Sequence, residues 1–353
     1  MSTQMAPHNS TSDDAMGPQE YGTADGRTGS KESVQGAVQT LNRNDPDSSL
    51  KTEAEIEESI REKVADIGPG RSALLVYLGL INIAIFSVIG FFLLSWSWIV
   101  SLVTVFISFV IWRHIFLRRA HPRPEAGRQW ISSRDPSAPN TAGLPAVYFL
   151  YILGSGGHTS EMLETIKRQF VPQANTHRRY LVTTGDQDSV DRLVKLECLI
   201  HRCLPPGDPR TGTVDVIRVP RARRVHQPLW TAPFSCLNTA VHVVGALTRV
   251  PNCRPAASQF RYPHVVVTNG PATGFIVCLV VHLLKLFYLV PQDRLKTVYI
   301  ESWARSRSLS LTGRLFRWSG IADLFCVQHE DLARRNSGAV YVGRIGAPFA
   351  VPR

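Results

Sequence analysis

Residues 147–170 read VYFLYILGSGGHTSEMLETIKRQF, and the fold is decided there. Val147 to Leu153 is apolar and aromatic with no polar face, the pattern of a parallel strand covered on both sides. The run stops at Gly154-Ser155-Gly156-Gly157, where glycines let the backbone turn sharply and come close to a ligand. Helical spacing takes over across 159–170, with Glu164 and Arg168 four apart on one face. A helix start offers free N–H groups and a partial positive charge, so strand, glycine turn and helix together form an anion cradle suited to a pyrophosphate. Its candidate binding residues are Gly154, Ser155, Gly156, Gly157 and Thr159; Thr159 or Ser160 is also the candidate helix cap. No Gly-Lys-Ser/Thr follows, which excludes a Walker A loop, and the spacing is not GxGxxG. His158 sits at the tip of the cradle. Its titration range suits a base that takes a proton from a sugar hydroxyl, with a positioning role as the alternative.

Further β-rich runs follow at 179–184, 214–220, 264–269, 297–302 and 322–328, with helical stretches at 187–199, 228–249, 273–287, 308–318 and 329–336. Strand–helix alternation predicts an α/β, Rossmann-like, doubly wound parallel sheet over 146–353. Ligands of such sheets bind at the carboxyl ends of the strands. Two more strand ends carry chemistry. Thr268-Asn269-Gly270-Pro271-Ala272-Thr273-Gly274 offers Asn269 for a sugar hydroxyl or an amide, Gly270 for the turn and Thr273 as a cap. Glu301-Ser302-Trp303-Ala304-Arg305 puts Glu301 and Ser302 beside a cation, Arg305, that can meet phosphate; an ion pair shaping the loop is the other reading. Arg218, Arg221, Arg223 and Arg224 form a separate basic cluster.

Ahead of this domain the composition changes twice. Residues 1–50 are polar, with few large apolar residues, and read as a disordered acidic tail without a signal peptide. Residues 1–70 carry 6 Lys+Arg and 13 Asp+Glu, so the overall +11 leaves +18 on residues 71–353. Residues 51–67 place Ile56, Ile60, Val64 and Ile67 at helical spacing, a short amphipathic helix within a 51–70 segment. Residues 73–112 then hold no charged side chain. One span needs about 20 apolar residues, so 72–117 reads as a transmembrane anchor of one or two helices, turning near Ser95-Trp96-Ser97-Trp98 if two. Arg113, Arg118, Arg119, Arg123 and Arg128 follow directly and place the body in the cytosol by the positive-inside rule. A Pro-rich linker, 118–145, leads to the domain. This tie to a membrane argues against nucleic acid as the partner of the basic body. Cys198, Cys203, Cys236, Cys253, Cys278 and Cys326 form no CxxC pair, so neither a structural metal nor a cofactor is expected.

LGSGGHTSEML, TNGPATG and YIESWARSRSLSLTGRL, in this order behind a membrane anchor, resemble the membrane-anchoring subunit of the eukaryotic UDP-N-acetylglucosamine transferase of dolichol-linked oligosaccharide synthesis. The resemblance covers about 146–345. More remotely, the region is similar to the N-terminal half of the bacterial transferase that completes lipid II. The resemblance implies the acceptor half of a two-Rossmann (GT-B) transferase at the cytosolic face of the endoplasmic reticulum or nuclear envelope. It implies a soluble donor-binding partner subunit, and addition of N-acetylglucosamine to N-acetylglucosaminyl-pyrophosphoryl-dolichol. It also sets the motif glycines, here Gly154, Gly156 and Gly157, facing the acceptor. Ala272 departs from the pattern, standing where a glycine is expected, as do the long acidic tail and the double-length apolar run.

Size points the same way. Residues 146–353 amount to one Rossmann unit, so the donor site is expected on another chain, with GRIGAPFAVPR at the C-terminus as a docking element. A self-sufficient homodimeric transferase and a non-enzymatic membrane scaffold are the competing readings.

Overall fold

The computed structural model describes residues 46–66, 71–93, 96–120, 146–223, 227–228, 230–251, 261–270 and 272–343. Residues 1–45 of the acidic tail, residues 121–145 of the Pro-rich linker, Ile67, Arg224, Cys253, Pro271 and the C-terminal segment after Gly343 lie outside them, whereas 46–50, read as part of the disordered tail, are helical. Eight strands form one sheet: β1 (Val64–Asp66), β2 (Val147–Ile152), β3 (Thr176–Thr183), β4 (Thr213–Val219), β5 (Val265–Thr268), β6 (Lys296–Ile300), β7 (Leu324–Val327) and β8 (Val340–Tyr341). Their order is β1-β4-β3-β2-β5-β6-β7-β8, and every neighbouring pair is parallel. From β2 the chain winds outward through β3 to β4, then returns to β5 on the other side of β2 and winds away through β6 to β8. The order therefore reverses between β2 and β5, the position at which open α/β sheets bind their ligands.

Helices cover the two faces as the run-and-gap pattern requires. On one face α4 (Gly157–Gln169) and α5 (Gln187–Arg202) pack Met162, Ile166, Leu193 and Val194 against Tyr180, Val182 and Val216. On the other, α6 (Ala232–Thr248) and α7 (Ala272–Leu286) pack Val243, Leu247, Val277 and Val281 against Leu150, Ile152, Leu181 and Val266. Two short helices, α8 (Leu311–Ser319) and α9 (Glu330–Arg335), follow β6 and β7, and Phe316 and Leu332 join Tyr299, Phe325 and Cys278 in a third cluster. Cys198, Cys203, Cys236, Cys278 and Cys326 are free thiols.

The segment before the apolar run departs from expectation. Its helix, α1 (Pro46–Glu62), begins earlier and ends earlier than the spacing predicts, and Val64 belongs to a strand instead. The C-terminal half of α1 and the strand after it pack into the domain. Ile60, only 2 % exposed, joins the α4/α5 core with Ile56 packed beside it, and β1 extends the sheet, pairing Val64 with Val216 and Asp66 with Arg218. The helical periodicity was real, but the sheet edge captures Val64–Asp66 because an unpaired edge presents open N–H and C=O groups.

The apolar run forms two helices, α2 (Arg71–Leu93) and α3 (Trp96–Arg119), of 23 and 24 residues. At 1.5 Å per residue each is about 35 Å long, enough for a hydrocarbon core. They are apolar all round, and most of their large side chains face away from the rest of the chain, Phe92 at 79 % and Val105 at 68 % exposure among them. A buried soluble helix would not show this. α2 packs along α6. The last turns of α3 grip α7: the buried Arg113 donates to the Lys285 carbonyl at 3.2 Å and lies 3.8 Å over the Tyr288 ring, and His114 meets His282 at 3.0 Å.

Candidate functional site

Three strand ends converge at the reversal point. β2 pairs β5 with Ile152 opposite Thr268, and β5 pairs β6 with Thr268 opposite Tyr299. The loops after Ile152, Thr268 and Ile300 are therefore neighbours by register, and the three motifs read separately in the sequence become one site.

In the first loop Gly156 has φ 61° and ψ −119°, a backbone conformation that a side chain resists. The turn brings α4 in at Gly157, two residues earlier than expected, with Gly156 as cap and no side-chain cap bond. The first-turn N–H groups have no carbonyl within the helix to bond. Ser155, Gly156 and Gly157 are exposed, whereas Gly154 is buried. Thr159 does not cap the helix. It is fully enclosed, its hydroxyl donates back to the Gly154 carbonyl, and it meets Ser189 Oγ at 2.7 Å. It braces the loop from inside and is not positioned to touch a ligand.

The second and third loops are tied to the first through one carboxylate. Glu161, at the start of the second turn of α4 and 8 % exposed, accepts from Ser302 Oγ at 2.6 Å and lies 3.5 Å from Asn269 Nδ2. Asn269 Nδ2 also donates to the His158 carbonyl at 2.7 Å. Burial pushes the Glu161 carboxyl above its ordinary range, against the lowering pull of the Ser302 and Asn269 hydrogen bonds. Sequence reading missed Glu161 as a site residue because an acidic residue in a first helical turn is unremarkable by composition. Arg192 was missed for a similar reason: it forms an ordinary i,i+4 pair with Asp188, yet its guanidinium reaches Ser160 Oγ at 2.5 Å beside the cradle.

Glu301 serves the loop itself. It is 1 % exposed and accepts from Ser302 N, Ser310 N and Ser310 Oγ, each at 3.2 Å, at the start of α8. No arginine pairs with it among the described residues, so the expected ion pair is absent there and the carboxylate bonds Ser302 and Ser310 instead. Arg305 is exposed at the loop tip, within electrostatic range of His158. Thr273 is buried, and its hydroxyl faces the Ala222 N–H at 3.5 Å. Gly270 takes φ 88° at the turn, and a Cβ on Gly274 would collide with Thr268, so helix α7 sits tight against β5. Burial lowers the His158 pKa below the ordinary imidazole value, Glu301 opposes the shift, and Arg305 adds to it. The ring is therefore neutral and proton-accepting near pH 7. Arg221 of the separate basic cluster turns inward to Thr183 Oγ1 at 3.2 Å, Arg218 reaches Gln187 at 3.1 Å, and Arg223 bonds the Gln227 carbonyl at 3.3 Å.

The family model described as "Oligosaccharide biosynthesis protein Alg14 like" matches residues 149–345, more than half of the chain. The chain belongs to the Alg14-like family. All three loops fall inside the Alg14-like region; α1, β1, α2 and α3 precede it. Among curated relatives, a protein of Aspergillus fumigatus named UDP-N-acetylglucosamine transferase subunit alg14 is 33% identical over 204 residues, covering 47% of this chain and 89% of its own length. Its namesakes in Schizosaccharomyces pombe and Mus musculus are 32% and 28% identical, each match covering 56% of this chain and 82% of the relative. Among solved structures, Acinetobacter baumannii MurG aligns with a TM-score of 0.36 at 15% identity, over 59% of this chain and 47% of that one.

Proposed function

We propose that this Alg14-like chain is the acceptor-binding, membrane-anchoring subunit of a UDP-N-acetylglucosamine transferase. A separate soluble subunit holds the nucleotide sugar. The pair adds the second N-acetylglucosamine to N-acetylglucosaminyl-pyrophosphoryl-dolichol at the cytosolic face of the endoplasmic reticulum. One observation carries the reading: the anion cradle of residues 154–158, Asn269 and the 301–305 loop meet at the reversal point of a sheet whose family relatives are named as subunits of a UDP-N-acetylglucosamine transferase. The diphosphate would lie on the exposed N–H groups of Gly156 and Gly157, with Arg305 and Arg192 within reach of its charge. Neutral His158 would take the proton of the acceptor hydroxyl as its oxygen bonds to the donor sugar carbon and UDP departs.

The same reading makes α2 and α3 the anchor. Support comes from their length, their all-round apolar surface and the cluster Arg113, Arg118 and Arg119 where α3 leaves the run. Because α1 and β1 precede the pair yet pack into the domain that follows it, both ends of the hairpin start from one side of the bilayer. This favours two spans and a cytosolic N-terminus.

The test is reconstitution of the full chain, alone and with a candidate soluble partner, with labelled UDP-N-acetylglucosamine and a short-chain lipid-pyrophosphate N-acetylglucosamine. Transfer only with both chains present is expected. UDP-sugar binding and turnover by the chain alone would instead establish a self-sufficient enzyme.

A further inference from the structure

Asn269 is 4 % exposed, and its side-chain oxygen is buried with no hydrogen-bond partner among the described residues. Such an atom is costly unless something donates to it. Its orientation is enforced. The His158 carbonyl and the Glu161 carboxylate both accept and both face Nδ2, so the amide is fixed with its NH2 end inward and Oδ1 turned away from them. Glu161 is itself pinned. Ser302 Oγ accepts from Ala304 N at 3.3 Å and gives its only proton to Glu161.

The arrangement makes little sense as a stability device. Among the described residues no lysine or arginine is bonded to Glu161, and Glu301 adds a second carboxylate nearby. A glutamine would fill the space without a buried charge. A glutamine, however, has a donating end, which can bond the Asn269 oxygen and compete with a ligand for it. The carboxylate, like the His158 carbonyl, accepts only and leaves Oδ1 open.

We propose that Asn269 Oδ1 receives a hydrogen-bond donor of the bound acceptor sugar, an amide N–H or a hydroxyl, and that Glu161 is the positioning residue that keeps it available. The inference rests on the acceptor-binding reading above and deepens it: the site selects a sugar that presents a donor at this point. Neither Glu161 nor Asn269 carries a proton in the reaction.

The experiment measures binding and transfer by the full chain with its partner, in detergent, on three short-chain lipid-pyrophosphate sugars. These are N-acetylglucosamine, its 2-O-acetyl analogue lacking the amide N–H, and its 3-deoxy analogue lacking one hydroxyl. The unmodified chain should bind one of the two analogues about tenfold more weakly than the parent, which identifies the donor. Asn269→Leu should weaken the parent about tenfold and bind that same analogue as well as the parent. Glu161→Gln should raise the acceptor KM about tenfold with kcat changed far less, and lose the discrimination while its melting temperature is kept or raised. Glu161→Asp should recover part of the discrimination. If the parent lipid binds but neither analogue is discriminated, or if Glu161→Gln changes stability and leaves the ratio intact, the inference fails while the acceptor-binding reading stands. If the parent lipid does not bind at all, both fall.

Discussion

His158 shows how far a residue's chemistry depends on its surroundings. In solution an imidazole is about half protonated near pH 6.5. Here burial outweighs the attraction of Glu301 and holds the ring neutral to lower pH. In the reconstituted complex, activity should therefore persist on acidification through pH 6.5 and fail only below it. His158→Ala should lower kcat by about 10²–10⁴-fold if the ring is the base. A folded, partner-bound variant with full rate would remove His158 from that role. Asp215 makes the second residue-scale case. Burial alone would raise its pKa, but hydrogen bonds from His177 and Arg179 bring it down to about 2. A depressed carboxyl contributes stability that is present above its unfolded pKa and is lost as pH falls through the folded one. The difference is about 2 kcal/mol. Urea unfolding of the detergent-solubilised chain should lose that amount between pH 4 and pH 2, and Asp215→Asn should flatten this limb.

Among the elements, the strands and helices of residues 147–341 were legible because their apolar runs alternate with amphipathic stretches, and most boundaries fall within three residues of those read. β3 was read only from Arg179 onward; the strand begins at Thr176 and also takes in His177 and Arg178, and all three basic residues are buried. Their partners lie far along the chain: Arg178 bonds Glu197 at 2.7 Å, and Arg179 bonds Asp215 at 2.6 Å. The apolar pattern marks the strand only where polar residues are few, and it does not show which carboxylates neutralise the basic ones. The α1–β1 segment is the instructive departure. Ile60 contributes about 2 kcal/mol by leaving water, while the exposed Arg61–Asp191 pair at 3.1 Å adds little. Ile60→Asp should release α1 and β1, seen as new protease cleavage between residues 46 and 70 and faster hydrogen exchange along β4. Unchanged protection of β4 would show that β1 holds by its backbone alone.

For the whole molecule, the consequence is a topology. A single span would put residues 46–66 and the sheet on opposite sides of a bilayer, yet β1 is hydrogen-bonded to β4. In intact microsomes, epitope tags at both termini should be removed by added protease without detergent. Protection of the N-terminal tag alone would restore the single-span arrangement and require β1 to leave the sheet. The same scale explains the site. Residues 154–160, 268–274 and 301–305 are more than a hundred positions apart at the extremes, and the reversal of strand order between β2 and β5 is what joins them.

By itself the sequence determined what depends on local pattern and spacing: an apolar run long enough for a membrane, a parallel α/β sheet, a sharp glycine turn, and three loops at strand ends. Those properties reside in consecutive residues, so composition and period carry them. Only the tertiary structure decided that Val64–Asp66 extends the sheet beyond β4, that Thr159 and Glu301 form hydrogen bonds that brace their loops, and that Glu161 joins Asn269 to Ser302. Each of these depends on atoms brought together by strand order and burial, and no stretch of neighbouring residues encodes such a meeting.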